Sequence, residues 1–336
     1  MGGHGPRCAL ITGVGGQDGM YLARLLGDEG VRVVGTVRPG TGSSPRCQAY
    51  LGHVELVEHD VRDSRGWDPQ LDRYQPDEIY NLAAMSSVGR SWEASDLAAE
   101  VNGHAVAGLL GAARNYRDRT GQDVRVFHAS TAAVFDVDGG GPYARAKWKA
   151  QRLVVEYRER HGLRACCGIL SNHESPLRGP EFVTRKITLA AAEIATGRRE
   201  SLRLGNLDVR RDRGFAGEYV EAMRRMVRSA EPVDLEIGTG VAHELTNVVE
   251  TAFSAAGIDD PWSYIAQDPT LLRPLDTPTV RIDPGPAEHH LGWKATIGLP
   301  ELIAEMVRVD ILRVRTGVAE HSDYLTAWAD ATDGVP

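Results

Sequence analysis

The stretch Cys8-Ala-Leu-Ile-Thr-Gly-Val-Gly-Gly-Gln-Asp-Gly-Met-Tyr-Leu22 decides the fold of this chain. Its apolar residues from Ala9 to Ile11 predict a buried strand, and apolar residues recur at helical spacing from Tyr21 onward. Between them, glycines follow at three-residue spacing, at Gly13, Gly16 and Gly19. Glycines let a backbone approach phosphates, and a helix start offers free N–H donors, so this order suits a dinucleotide pyrophosphate. The stretch predicts a dinucleotide-binding turn, with an ordinary strand-to-helix turn as the alternative.

Strand and helix patterns alternate through the first half of the chain. Further apolar runs predict strands at 31–37, 54–57, 78–82, 125–129 and 164–170. This alternation predicts an α/β fold with a doubly wound, parallel sheet of Rossmann type. Beyond Ser171 the alternation weakens. We therefore expect a dinucleotide-binding domain at 1–172 and a smaller C-terminal substrate-binding domain at 173–336, allowing for segments that return to the sheet.

The bulk composition narrows the class of protein. A net charge of -8 over 336 residues argues against general binding to nucleic acid or to an anionic membrane. No apolar run approaches the length of a membrane span, and the first residues lack a signal-peptide pattern. The four cysteines show no CxxC spacing, and Cys166 and Cys167 lie in an apolar run, which favours buried thiols in a reducing cytosol. We expect a cytoplasmic protein with no metal site.

Residues at the ends of the predicted strands suit the rest of a dinucleotide. An acidic residue after the second strand would favour the free ribose hydroxyl of NAD, but the chain has Arg38 there, followed by serines. A guanidinium suits the extra phosphate of NADP, while NAD and a solvated loop arginine remain alternatives. Asp60-Val61 ends the third strand and is a candidate adenine contact. The small residues after Leu82 would let a cofactor lie close.

A threonine, a tyrosine and a lysine form the candidate catalytic group. Thr131 follows the fifth strand, and Tyr143 and Lys147 lie four residues apart, on one face of a helix. An ammonium near a phenol favours the phenolate, whose pKa is ordinarily about 10. Tyr143 would take a proton from a substrate hydroxyl while hydride leaves the same carbon, Thr131 would hold that oxygen, and Lys147 would also anchor the nicotinamide ribose. The alternative is a half-exposed tyrosine and a solvated lysine on a surface helix. The expected cofactor contacts are Gly13, Gly16, Gln17, Asp18, Gly19, Arg38, Asp60, Val61, Leu82, Ala83, Ala84, Tyr143 and Lys147.

These motifs resemble those of the extended short-chain dehydrogenase/reductases that act on nucleotide sugars, and most of all those of the GDP-mannose 4,6-dehydratases. The matching segments are 12–19, 80–84, 168–176, 182–188, 204–208 and 217–223. The resemblance implies a nucleotide-sugar substrate and assembly as a homodimer or homotetramer. It also implies substrate contacts from Asn172, Val183, Lys186, Arg211 and Arg273, with Asp276 where the family usually has Glu. Ser86, after the fourth strand, is added to this set.

The departures from the family pattern bear on the reaction. The dehydratases have Ser-Thr-Ser-Glu after the fifth strand, where Glu removes the C5 proton of the sugar, but this chain has Ser130-Thr-Ala-Ala133. An alanine cannot abstract a proton, and loss of a general base typically costs about 10²–10⁴-fold in rate. The separation of Thr131 and Tyr143, 12 residues, is also shorter than in these sugar enzymes. The other departures are Met85 and Ser87 for Gln and His, Pro39 for a second Arg, and Arg213 for Trp.

Four functions fit these observations. The first is a 4-epimerase acting on a GDP- or other NDP-sugar, a hexose or a heptose, through a transient 4-keto intermediate. The second is 4,6-dehydration with a substitute carboxylate, for which Asp136, Asp138 and Glu174 are candidates. The third is reduction of a nucleotide-linked keto sugar. The fourth is a non-catalytic NADP-binding protein.

Overall fold

The computed structural model describes residues 7–138, 140–272, 279–280 and 282–326. Its strands are β1 (Cys8–Thr12), β2 (Arg32–Val37), β3 (Glu55–Glu58), β4 (Glu78–Asn81), β5 (Arg125–Ala129), β6 (Arg164–Leu170), β7 (Asn172–Glu174), β8 (Leu202–Leu204), β9 (Arg210–Phe215), β10 (Leu235–Ile237), β11 (Ala242–Glu244), β12 (Ile265–Gln267) and β13 (Thr279–Val280). Its α-helices are α1 (Gln17–Asp28), α2 (Pro45–Tyr50), α3 (Trp67–Tyr74), α4 (Val88–Glu93), α5 (Ser95–Ala99), α6 (Ala105–Thr120), α7 (Gly141–His161), α8 (Val183–Ala195), α9 (Ala216–Arg228), α10 (Leu245–Ala255), α11 (Gly285–Leu291), α12 (Leu299–Thr316) and α13 (Asp323–Thr326).

The main sheet has seven strands in the order β10-β6-β5-β4-β1-β2-β3, and all of its ladders are parallel. The predicted α/β fold with a doubly wound parallel sheet is confirmed. All six predicted strands are present, with each end within one residue of its predicted position. Central strands such as β1 and β4 are buried along their whole length. That explains why β1 appears in the sequence as a continuous apolar run rather than as an alternating one.

The sequence patterns did not predict β10, the strand that completes the sheet next to β6. It is three residues long, too short for a periodic apolar signal. Polar side chains secure it instead. Asp234, directly before β10, pairs with Arg158 Nη1 at 2.7 Å and accepts a hydrogen bond from the Cys167 amide at 2.7 Å.

The chain folds as two compact units, each built from three segments. The first contains the described residues of Met1–Leu170, Gly217–Ile237 and Asp283–Lys294, and it holds the main sheet. The second contains those of Ser171–Ala216, Gly238–Ile282 and Ala295–Pro336.

The second unit has two small sheets and a helical core. In one sheet β9 pairs with β7, β11 and β13, and in the other β8 pairs with β12. Helices α8, α10 and α12 pack together. A buried ion pair joins two of these helices, because Arg185 donates to both carboxylate oxygens of Asp310, with Nη2 and Oδ1 2.6 Å apart.

Candidate active site

The glycine turn between β1 and α1 is as tight as its sequence predicts. Gly13 has φ +68, and a Cβ there would lie 2.8 Å from the Cα of Ala83, at the end of β4. A Cβ on Gly19 would lie 2.6 Å from Val14 Cα, so only glycine lets α1 pack this closely on the turn. Gly16 precedes the helix and has no side chain to cap it. A backbone cradle that a Cβ would fill, at a helix N-terminus, fits a dinucleotide pyrophosphate.

A buried hydrogen-bond network holds the end of β4 against the turn. The amides of Leu82 and Ala83 donate to Thr12 Oγ1 at 3.1 and 3.0 Å, and Thr12 Oγ1 donates to Asn81 Oδ1 at 2.8 Å. Asn81 Nδ2 lies 3.0 Å from His128 Nδ1 on β5. Burial and the charge of Lys147 keep the His128 pKa well below its usual value, so this histidine is neutral and accepts from Asn81. Three strands are thereby fixed to one another below the candidate cofactor site.

The first turn of α1 and the loop after β4 carry further candidate residues. Gln17 and Asp18 begin α1, with Gln17 Nε2 3.1 Å from Asp18 Oδ1. Ala84 is half-buried, and Ser86 is exposed. Residues 82–83 lie against the glycine turn, through the close approach of Gly13 to Ala83 and the hydrogen bonds to Thr12. The dinucleotide prediction requires this arrangement.

Cationic side chains lie at the ends of β2 and β3. Arg38 is exposed directly after β2, where its carbonyl closes a turn by accepting from Thr41 Oγ1 at 2.7 Å. Asp60 follows β3, and its hydrogen bonds from Arg62 lower its pKa to about 2. It is therefore a carboxylate held by Arg62 at physiological pH. Val61 beside it is half-buried against the apolar core.

Helix α7 presents the candidate catalytic tyrosine and lysine one turn apart. Tyr143 is 8% exposed and Lys147 is 3% exposed. Lys147 Nζ donates to the Ala129 carbonyl at 2.7 Å, and burial lowers its pKa to about 8. The interpretation as a solvated lysine on a surface helix is therefore wrong. Gly141 sets the start of α7, because a Cβ there would lie 2.4 Å from Trp92 Cζ2 on α4.

Thr131 begins a 3₁₀ turn over Ala132–Asp136 and caps it, since its Oγ1 accepts from the Ala133 amide at 3.3 Å. A threonine hydroxyl that accepts this bond still has its proton to donate. Ala133, the position of the missing carboxylate, is half-buried in the same turn.

The candidate substitute bases differ in their surroundings. Glu174 is 2% exposed, accepts from Thr184 Oγ1 at 3.1 Å and lies 3.1 Å from Arg178 Nε. These contacts give Glu174 a structural role. Asp138 is exposed, and the Asp136 carbonyl accepts from the Gly140 amide.

The second unit holds the residues that the resemblance assigned to the nucleotide sugar. Asn172 lies on β7, and Arg211 lies on the neighbouring β9 with its Nη1 2.8 Å from the Arg210 carbonyl. Val183 begins α8, and Lys186 one turn later donates to the Arg203 carbonyl at 2.7 Å. Burial lowers the pKa of Lys186. Arg273 and Asp276 lie outside the described residues.

Two polar residues near the candidate cofactor site were missed from the sequence. Asn102 is buried in a π-helical turn and makes two bonds to the backbone of Met85, from the Met85 amide at 2.8 Å and to the Met85 carbonyl at 3.0 Å. Arg46 on α2 places Nε 3.4 Å from the Gly15 carbonyl in the glycine turn. The Ser44-Pro45 pair, a helix cap and a first-turn proline, was the available signal for α2. Asn102 gave none, because it falls inside an ordinary helical pattern.

Within the described part of the chain, no helix has the length and apolarity to cross a membrane. Over the same residues, no cluster of three or more His, Cys, Asp or Glu side chains could hold a metal ion.

A family model and similar curated proteins all point to the GDP-mannose 4,6-dehydratases. The family model described as GDP-mannose 4,6 dehydratase matches residues 10–306. GDP-mannose 4,6 dehydratase 1 of Arabidopsis thaliana is 34% identical over 96% of this chain and 94% of its own length. GDP-mannose 4,6-dehydratase of Sinorhizobium fredii is 37% identical over 92% of this chain and 98% of its own. Among solved structures, UDP-glucose 4-epimerase of Thermus thermophilus in complex with NAD has a TM-score of 0.76 and 25% identity, covering 91% of this chain and 99% of its own.

Proposed function

Because the chain belongs to the GDP-mannose 4,6-dehydratase family of NAD(P)-dependent enzymes that modify nucleotide sugars, we propose that it is a nucleotide-sugar 4-epimerase working through a transient 4-keto sugar. One observation carries the proposal. Thr131, Tyr143 and Lys147 are present at the end of β5 and the start of α7, whereas Ala133 offers a methyl group where the dehydratase pattern has its base. Oxidation of a sugar carbon is retained, and the base that drives loss of water is not.

We propose NADP as the cofactor. The backbone at Gly13, Gly16 and Gly19 would hold its pyrophosphate, and Arg38 would bind the extra phosphate, because a guanidinium suits a phosphate dianion. Arg46 adds a second cation beside the same turn. When bound, this cofactor would supply reversible hydride transfer at the sugar carbon.

The proposed proton transfers fall to Tyr143. Its phenolate takes the proton of the C4 hydroxyl as the carbonyl forms, and returns it to the keto oxygen after the sugar has presented its other face. The ammonium of Lys147 favours the phenolate. Thr131 would hold the reacting oxygen with its hydroxyl proton. The net result is inversion at C4, with no change in composition.

The first test removes the phenol. Tyr143→Phe should lower turnover at least about 10²-fold, because it removes the proposed general base, and should leave the thermal unfolding midpoint near that of the parent. Tyr157→Phe, on the same helix, is the matched control and should keep full activity. Turnover of a panel of GDP- and UDP-linked sugars is followed by mass spectrometry. Full activity in Tyr143→Phe would contradict the mechanism.

The second test separates epimerisation from 4,6-dehydration, which the names of the relatives favour. In deuterated water, an epimerase gives a product of unchanged composition that is inverted at C4 and has no deuterium at C5. A dehydratase gives a product lighter by one water with deuterium at C5, and that result would overturn the proposal. A requirement for stoichiometric NADPH would instead indicate a keto-sugar reductase.

A further inference from the structure

Polar and cationic side chains lie on one face of the small sheet that β7, β9 and β11 form in the second unit. Asn172 pairs with Arg213 in the parallel β7–β9 ladder, and His243 pairs with Arg211 in the antiparallel β9–β11 ladder. Residues paired across a ladder, and residues two apart along a strand, point to the same face. These four side chains therefore share one face with Glu174. It is the face on which the proposed substrate contacts Asn172 and Arg211 lie.

Arg213 is buried on this face, and its guanidinium makes only some of the hydrogen bonds that it could donate. Its side chain is 3% exposed. Nη1 donates to the carbonyls of Arg211 and His243 at 3.4 and 3.2 Å, and Nε has no hydrogen-bond partner among the described residues. Burial lowers the pKa of Arg213 to about 10, so the guanidinium is charged at neutral pH. A buried charge of this kind is costly unless an anion compensates it.

The neighbouring carboxylates leave an excess of positive charge. Glu174 attracts Arg213, but it is already bonded to Thr184 and lies 3.1 Å from Arg178 Nε. Asp212 alternates to the other face of β9 and accepts from the hydroxyl of Thr239 at 2.7 Å and the amide of Gly240 at 2.8 Å. Among the described residues of β7, β9 and β11, Glu174 is thus the single carboxylate on the face that carries Arg211 and Arg213. The charge balance favours a bound anion.

Two departures from the dehydratase pattern change the charge in the same direction. Arg213 stands for Trp and Ala133 stands for Glu, and each makes its position more positive by one unit. A diphosphate already has Lys186 and Arg211 as proposed partners, so the added cation points to a second anionic group on the substrate. A sugar whose C6 is a carboxylate has no C6 hydroxyl to lose. Such a sugar would also explain why the eliminating base is dispensable.

We propose that Arg213 is a specificity-determining residue that selects a nucleotide sugar bearing a carboxylate on the sugar, a nucleotide-linked uronic acid. The inference rests on the proposed function insofar as it assigns this sheet face to the substrate. It does not depend on which reaction follows binding.

The test measures binding without turnover. Full-length Tyr143→Phe protein loaded with NADP is titrated by calorimetry with GDP-mannuronate against GDP-mannose, and with UDP-glucuronate against UDP-glucose. With Arg213 present, the uronate of at least one pair should bind about tenfold or more tightly than its neutral partner, as expected for a charge-assisted hydrogen bond. Arg213→Gln and Arg213→Trp should bring that ratio to within about twofold, and Arg213→Lys should keep part of it. Arg210→Gln is the matched control, because Arg210 is exposed and alternates to the opposite face.

Each outcome decides the inference. A ratio near one with Arg213 in place, or a ratio that Arg213→Trp leaves unchanged, would overturn it. An equal loss of affinity for uronate and neutral sugar would assign Arg213 to the diphosphate and also overturn it. Circular dichroism checks folding, and if Arg213→Gln fails to fold, the Trp and Lys variants give the same comparison. If the ratio holds but wild-type enzyme epimerises no sugar, the proposed reaction fails and this inference stands.

Discussion

Lys147 carries its charge in a buried position, and this has consequences for both activity and stability. Burial lowers its pKa to about 8, while its Nζ donates a hydrogen bond to the Ala129 carbonyl at 2.7 Å. The ammonium is therefore present at neutral pH and is lost at moderately alkaline pH. If its charge stabilises the phenolate of Tyr143, the reaction should depend on this ionisation.

We predict that kcat/KM falls as the pH rises above about 8, because deprotonation removes the charge that favours the phenolate. Lys147→Met should lower kcat at pH 7 by about 10² or more, a loss comparable to that of a general base. Initial rates of sugar turnover, measured from about pH 6 to about pH 10, give the pH dependence of kcat/KM. An activity that stays constant to the alkaline end of this range would contradict the role of Lys147. Lys149→Met is the control and should leave the profile unchanged, because Lys149 is exposed and lies six residues from Tyr143, on a different face of α7.

The buried charge of Lys147, which the reaction needs, should also lower the stability of the folded protein. The pKa of about 8 in the folded protein lies below the ordinary lysine pKa of 10.5. Between these two values the unfolded state binds more protons, so the free energy of unfolding should rise with pH through that interval. Lys147→Met removes the buried charge, so the rise should disappear and the protein should be more stable at pH 7 by about 1 kcal/mol. Thermal unfolding at several pH values checks this, and a strongly destabilised Lys147→Met would argue against it.

The sequence identified residues whose chemistry follows from local spacing. Tyr143 and Lys147 were predictable because a helix places residues four apart on one face. Asn102 was not, because its two bonds to Met85 join residues 17 apart in the chain, and no local pattern reports them. The burial of Lys147 also depends on its tertiary neighbours, which is why a solvated lysine had to remain an alternative.

At the scale of elements, the packing of α1 on the glycine turn determines the candidate cofactor site. We predict that Gly19→Ala destabilises the protein by about 1–3 kcal/mol, because overpacking costs about that much, and weakens NADP binding by shifting the helix N-terminus. A Cβ at this position would lie 2.6 Å from both the Cα and the carbonyl oxygen of Val14. These are backbone atoms, so no change of side-chain rotamer can relieve the overlap. Thermal unfolding and fluorescence titration with NADPH measure the two effects.

The matched control is Gly111→Ala in α6. A Cβ there would meet Tyr157 Oη at 3.5 Å, an ordinary contact. An exchange of Gly for Ala within a helix typically stabilises by about 0.5–1 kcal/mol. Gly19→Ala behaving like Gly111→Ala would show that the close approach of α1 is unimportant.

The elements also show where sequence patterns lose information. β5 and β6 were predicted with their observed ends, because each is a mainly apolar stretch that begins at an arginine, Arg125 or Arg164, and is followed by a serine, Ser130 or Ser171. β10 was missed, since three residues carry no period and its place is fixed by the contacts of Asp234 with Arg158 and the Cys167 amide. Long-range polar contacts of this kind are visible only in three dimensions.

At the scale of the whole molecule, the chain returns to the main sheet after leaving it. Residues 217–237 and 283–294 belong to the first unit together with the N-terminal segment. The return adds β10 to the sheet edge, and it brings Arg228 Nε to within 2.8 Å of Glu78 Oε1. Glu78 is 2% exposed, so this contact compensates a buried carboxylate.

A fragment of residues 1–172 therefore lacks part of its own core, although the sequence places all expected cofactor contacts within it. We predict that it shows no cooperative thermal transition and binds NADPH at least about 10²-fold more weakly than the full chain. Losing one partner of a buried ion pair typically costs about 3–5 kcal/mol, a large part of the stability of a domain. The fragment keeps Arg7, which lies 3.2 Å from Glu78 in the full chain, but it lacks β10 and the Asp234 contacts. Asp234→Ala in the full chain isolates the edge strand and should be milder, lowering the unfolding midpoint while keeping NADPH binding. Circular dichroism and fluorescence titration measure both proteins, and a fragment with a cooperative transition and near-native affinity would show that the returning segments are dispensable to the cofactor site.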